Sequence, residues 1–170
     1  MILNILQILL RFFMLVALQV LILNNIQLGG IVNPYLYVLF LLTLPVQTPR
    51  VLLLFIGFIL GISIDLFQNS TGIHAFACVL IAFIRPNWLK LVAPRDGFEP
   101  DESPEIRKFG FRWFLVYASV LVIIHHLVIF NIEIFRFSDF WSTQLRVLYS
   151  SVFTIVLIIL SQYLLYKPEK

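Results

Sequence analysis

Charge is what this chain has least of. Only 12% of its 170 residues are Asp, Glu, Lys or Arg, about half the share usual in soluble domains. Hydrophobic residues make up 61%, and the mean hydropathy is +0.98. This balance excludes an ordinary soluble domain and predicts an integral membrane protein. Cysteine is almost as scarce. Cys78 stands alone inside an apolar run, which excludes an intrachain disulfide and predicts a small buried hydrophobe. Signatures of chemistry are missing too. There is no Gly-x-Ser-x-Gly, no His-Glu-x-x-His and no glycine-rich phosphate loop, so no nucleophile with a paired base can be named. Catalytic, cofactor and metal residues are therefore predicted as none, and no internal repeat stands out.

What the chain does have is long apolar runs, several approaching the roughly 20 residues that cross a hydrocarbon core about 30 Å thick. The prediction is all-α: one polytopic helical bundle, residues 1–170, with about six transmembrane helices at residues 3–23, 34–44, 51–67, 73–84, 111–130 and 145–166. Arg11 inside the first run, with no small-residue cleavage site after it, identifies a retained span instead of a signal peptide. The second and fourth segments are short. As a helix, residues 34–44 would cover only about 16 Å.

The basic residues report orientation and give no reason to expect nucleic acid. Six crossings gather Arg50, Arg85, Lys90, Arg95, Arg107, Lys108, Arg112, Lys167 and Lys170 on one side, against Arg136 and Arg146 on the other. Both termini are then cytoplasmic, and residues 85–112 form a cytoplasmic loop that can meet anionic headgroups of membrane lipid. If residues 34–44 turn back instead of crossing, the N-terminus moves outside. Trp88 and Trp113 flank the basic loop, and Tyr35 and Trp141 fall near the opposite face, as interfacial aromatics do.

Ionisable groups at membrane depth are costly. Arg11 is expected to snorkel or to make a structural bond, and Gln7, Arg11 and Leu18 share one helical stripe suited to an intramembrane polar contact. Asp65, Asn69, His74, His125, His126 and Glu133 all fall near the outer helix ends. None of these residues has metal-ligand spacing, and groups crowded at one level do not make a relay, so the expectation is interfacial residues within reach of water. Gly57 and Gly61, in GFILG, read as a close-packing face; Gly29-Gly30 also draws the eye. In GISIDLFQNSTGIH, one helix should end near Phe67 and the next begin about Ile73. Asp65, disfavoured at a helix C-terminus, should bond the turn or the start of the next helix.

These segments, LILNNIQLGG, NPYLYVLFLLTLP, GISIDLFQNSTGIHAFA, AFIRP and PRDGFE, resemble the rod shape-determining MreD family in its Bacteroidota-like version. The central motif is carried by Gly61, Asp65, Leu66, Phe67, Gly72 and His74, and the resemblance runs from about Leu21 to Glu99. It implies a non-enzymatic subunit of the cell-elongation machinery in the bacterial inner membrane. Such a subunit binds MreC directly and, in the wider complex, meets MreB, RodA and a penicillin-binding transpeptidase. It also implies a fold similar to the substrate-binding subunits of energy-coupling-factor vitamin transporters, and that similarity supplies the alternative function, solute binding from the outer side.

Overall fold

The computed structural model describes residues 2–26, 32–99, 102–134 and 140–164, with side chains from residue 6 onward. Gly29, Gly30, Arg136, Lys167, Lys170 and the last two residues of the final predicted span lie outside that set. The described residues are all-α apart from their connections. Five long helices are α1 (Ile2–Leu21), α3 (Arg50–Gln68), α4 (Ile73–Leu91), α6 (Phe111–Ile134) and α7 (Phe140–Leu164); α2 (Val38–Leu42) and α5 (Ile106–Phe109) are short. A 3-10 turn, Leu23–Asn25, extends the first helix, and α1 with this turn, α3, α6 and α7 are each long and apolar enough to cross a membrane.

The long helices alternate between two ends of the bundle. At one, which we call the Asp65 end, Gln68 closes α3 and bonds Asn24 just past α1. At the other, the Arg50 end, Arg50 bonds Asn87 near the end of α4. There too, Trp113 at the start of α6 reaches Val92, and Gln162 near the end of α7 accepts from the Ile106 N–H. The exposed side chains of Leu10, Phe13, Val51, Phe55, Leu66, Phe83, Leu148 and Val152 form an apolar outer surface. On a water-soluble domain so much contiguous apolar area would be an aggregation hazard, whereas here it suits a lipid surround.

Two segments depart from the sequence prediction. The fourth helix does not stop at residue 84 but continues through Pro86 to Leu91, a length of about 28 Å. Arg85 therefore belongs to the helix and not to the loop, which begins at Val92. The charge and the proline suggest a helix end, but Arg85 is only 1% exposed and its charge is met inside the bundle.

The second segment is not one helix. Only Val38–Leu42 is helical, yet every residue from Pro34 to Leu44 is buried. It starts beside Ser150 and Thr154 at the Asp65 end, and Val46 bonds the Glu102 carbonyl at the Arg50 end. Ahead of α2 only residues 32–35 lie outside turn or helix; Leu36 and Tyr37 form a turn that leads into α2, with Tyr37 already in the right-handed helical region. The segment's apolar residues serve as core, enclosed by the long helices.

The α3 and α4 helices form the most extensive contact. Gly57 and Gly61 lie on that seam. A Cβ on Gly57 would sit 3.1 Å from the Cys78 carbonyl oxygen, and one on Gly61 would collide with the Ala75 backbone. The GFILG stretch is thus a close-packing face within this chain, with Ala75, Ala77, Cys78 and Ala82 buried opposite.

Candidate functional site: the polar lining of a partly unwound core segment

A chain segment without helical hydrogen bonds must find partners for its N–H and C=O groups, and in a lipid-surrounded bundle they have to come from the protein. Here three alternating amides, in the irregular start of the segment and the turn before α2, are met by side chains. The Asn33 N–H donates to Ser150 Oγ at 3.0 Å, the Tyr35 N–H to Thr154 Oγ1 at 3.1 Å and the Tyr37 N–H to Gln19 Oε1 at 3.4 Å. Gln19 Nε2 in turn donates to the Pro34 carbonyl at 2.9 Å. Gln19, Ser150 and Thr154 are each fully buried. They act as fixed solvent for the backbone that runs between them.

The far end of the segment is held by Arg85 and Tyr117. The Tyr117 hydroxyl donates to the Leu42 carbonyl at 2.8 Å. Arg85 Nε donates to the Tyr117 oxygen at 2.9 Å, and Nη2 donates to the carbonyls of Leu42 and Leu44. Nη1 has no partner. These carbonyls, released where α2 ends, are what a buried guanidinium can neutralise without a carboxylate.

Between the two ends lies a chain of side chains. The Tyr37 hydroxyl is 2.7 Å from His74 Nδ1 and 2.9 Å from His125 Nε2. His74 Nε2 is 2.7 Å from Gln68 Oε1, and Gln68 Nε2 donates to Asn24 Oδ1 at 2.8 Å. Because Gln68 offers an oxygen, His74 carries its proton on Nε2 and accepts at Nδ1 from Tyr37. Tyr37 then accepts from His125 Nε2–H, and His125 Nδ1 is left bare and buried. His126 donates from Nδ1 to the Val122 carbonyl at 2.8 Å and faces Thr154 Oγ1 at 3.1 Å with Nε2. With neutral imidazoles every ring nitrogen of the three histidines but His125 Nδ1 has a partner.

Asp65 is the pin of the α3–α4 hairpin. Its Oδ1 accepts from Ser70 Oγ at 2.5 Å and from the His74 N–H at 3.1 Å, and its Oδ2 accepts from the Ala75 N–H at 2.8 Å. The last two donors are amides of the first turn of α4, which prefer an anion. Asn69 at φ 52° and Gly72 at φ 86° turn the chain between the helices. The expected bond from Asp65 to the next helix is thus present.

The polar residues separate into groups that the spacing had merged. Asp65, His74, His125 and His126 are not interfacial and wet; they are at most 3% exposed. Only Asn69 and Glu133 lie exposed. No cluster of His, Cys, Asp and Glu among the described residues has the arrangement of a metal site. Arg11 donates to Thr43 Oγ1 at 3.1 Å, a structural bond to the unwound segment, while Gln7 is exposed and does not share it. Of the motif residues, Gly61, Asp65 and His74 are buried, and Leu66 and Phe67 face outward, 74% and 64% exposed.

Gln19, Tyr37, Gln68 and Tyr117 were not singled out from the sequence. A signal for Gln19 exists, since Arg11, Leu15 and Gln19 recur every four residues and form the inward stripe of α1. The others depend on an unwound segment that no periodicity reveals. A polar cavity of about 350 Å³ opens at the Asp65 end, lined by Asn24, Asn25, Asn33, Tyr35, Gln68 and Glu133 among others. Set against protein-family models, curated proteins and solved structures, the chain matches none of them.

Proposed function

We propose that this chain is a non-enzymatic membrane subunit of the bacterial cell-elongation complex, an MreD-type protein. In this reading it binds MreC and, through it, works with MreB, RodA and a penicillin-binding transpeptidase to control peptidoglycan synthesis and cell shape. The observation that carries the reading is where the motif goes. Gly61 and Asp65 are consumed in closing one helical hairpin, and His74 in joining it to Tyr37. Leu66 and Phe67 are presented outward beside the hairpin tip. Such a site builds a rigid surface, which fits an assembly role. The path of residues 34–44 from one end of the bundle to the other supports six crossings in the inner membrane. The basic residues at the Arg50 end support cytoplasmic termini.

Co-purification with MreC from mild detergent tests the proposal. Wild type and Asp65→Asn should retain MreC, and Leu66→Asp with Phe67→Asp should lose it while remaining folded. A wild-type chain that never retains MreC overturns the reading.

One observation favours a second reading, a solute-binding subunit similar to those of energy-coupling-factor transporters. Unwound segments near the middle of a membrane bundle commonly line binding sites, and here the cavity at the Asp65 end sits directly above one. Mass spectrometry of the purified protein distinguishes the two: a small molecule retained by wild type and lost on Gln68→Ala would favour solute binding.

A further inference from the structure

A second cavity, of about 180 Å³, lies at the side of the bundle between α1 and α7, and none of Tyr37, Gln68, His74 and His125 lines it. Its floor is made by the buried side chains of Leu15, Leu36 and Leu39, and its rim includes the exposed Met14. Nearly all of its lining is apolar. At one end the lining becomes polar, with Arg11 level with Ser161 and Gln162, a turn before α7 reaches Leu164. From Arg11 to Leu18 the groove follows α1 for about 10 Å.

Three observations narrow the occupant. Among the described residues the lining contains no carboxylate, and one nitrogen of Arg11 is engaged by Thr43, so none of them supplies the cation with a counter-charge. A cavity of this size takes a benzene-sized apolar body or a stretch of hydrocarbon chain, but not a helix about 10 Å across. The charged end is the one nearer the Arg50 end: Arg11 lies about 13 Å along α1 from Ile2, from where a long guanidinium side chain extends toward the headgroup level.

We infer that this groove binds one phospholipid, its anionic headgroup held by Arg11 and the upper part of one acyl chain laid along Leu15, Leu18 and Leu39. The site rests only on the chain lying in a membrane and is independent of the partners proposed above. An arginine suits the role because its planar fork can bond Thr43 through one nitrogen and a phosphate through the others. A bound lipid would fill the gap between α1 and α7, which make no extensive contact among the described residues.

The full chain, reconstituted in vesicles of equal phosphatidylglycerol and phosphatidylcholine, re-extracted in mild detergent and weighed intact by native mass spectrometry, tests this. Wild type should keep one phosphatidylglycerol per chain, at least fivefold over phosphatidylcholine. Arg11→Gln should abolish that preference, Arg11→Lys should keep most of it, and Met14→Trp, which fills the rim without touching the core, should lose the lipid. Lys108→Gln, in the basic loop, should change neither. Equal retention of the two lipids by wild type overturns the assignment. So does a preference that survives Arg11→Gln but not Lys108→Gln, a lipid that stays in Met14→Trp, or a chain dimer in place of the lipid that Met14→Trp dissolves.

Discussion

The α3–α4 hairpin and the α1–α7 flank are built from equally apolar helices and pack in opposite ways. Along the first, Gly57, Gly61, Ala75, Cys78 and Ala82 let two backbones come together, and Asp65 ties the ends. Along the second, Met14, Leu15 and Leu18 stand where small residues would be needed, and a groove remains. In lipid the hydrophobic effect does not distinguish a helix contact from a lipid contact, so close association depends on small residues and on polar bonds. One hairpin has both. The flank has only Arg11, whose bond goes to the unwound segment instead of across to α7.

The comparison breaks most sharply at Gly61. Gly61→Leu forces its side chain into the Ala75 backbone and should cost about 3 kcal/mol or more, beyond usual overpacking because backbone cannot yield. Heating the detergent-solubilised protein and following its aggregation would show the fall. Gly57→Ala, at 3.1 Å from a carbonyl oxygen and 3.2 Å from Ala82 Cβ, should cost far less, roughly 1 kcal/mol. If the two glycines proved equivalent, the seam would not be where the hairpin's closeness is decided.

Next in size is Arg85→Met. It keeps most of the side-chain volume and strips the Leu44 carbonyl of its donor while Leu42 keeps the Tyr117 hydroxyl, at about 1–3 kcal/mol for the group left unpaired. Arg85→Lys should recover only part of this, because an ammonium cannot reach Tyr117 and the carbonyls together as the fork does. Hydrogen exchange at residues 42–46 would report loosening there before the long helices respond.

Asp65 sharpens the hairpin side of the contrast. Asp65→Leu removes three accepted bonds and leaves the His74 and Ala75 amides bare, so about 2 kcal/mol should be lost. Asp65→Asn keeps an acceptor and should lose roughly half as much. Equal losses in thermal unfolding would mean that charge, not hydrogen bonding, carries the pin. Tyr37→Phe removes the hydroxyl that joins His74 to His125 and should cost about 1 kcal/mol or somewhat more, with the ring NMR signals of both histidines shifting together.

The long helices and the pin were legible because their causes are local. Apolar runs of span length, Asn69 to Gly72 between two of them, and a carboxylate at the end of a helix each predict a structure within ten residues. What could not be read was set by contacts far apart in the chain. Residues 34–44 look like one short helix because their apolar composition matches any buried segment, and only Ser150, Thr154, Gln19 and Arg85, distant in sequence, let the chain leave the helix before Val38 and after Leu42. For the same reason Arg85 looked like loop: its partners are carbonyls, which leave no trace in side-chain spacing. His125 and His126 looked wet because helical position gives depth along a helix but not which neighbours close over it.

The smallest expected effect is also the one that separates spacing from contact. Gln7, Arg11 and Leu18 share a stripe on α1, but Gln7 is exposed whereas Arg11 reaches Thr43. Gln7→Ala should leave thermal stability unchanged within error, as surface changes generally do. Arg11→Gln should lower it slightly, because Thr43 Oγ1 still donates to the Leu39 carbonyl and keeps a partner of its own. Measured in lipid-free detergent and again with phosphatidylglycerol added, the Arg11 difference should widen and the Gln7 difference should not. A Gln7 effect as large as that of Arg11 would mean that the whole stripe faces a neighbour, and that the α1 flank is covered by protein.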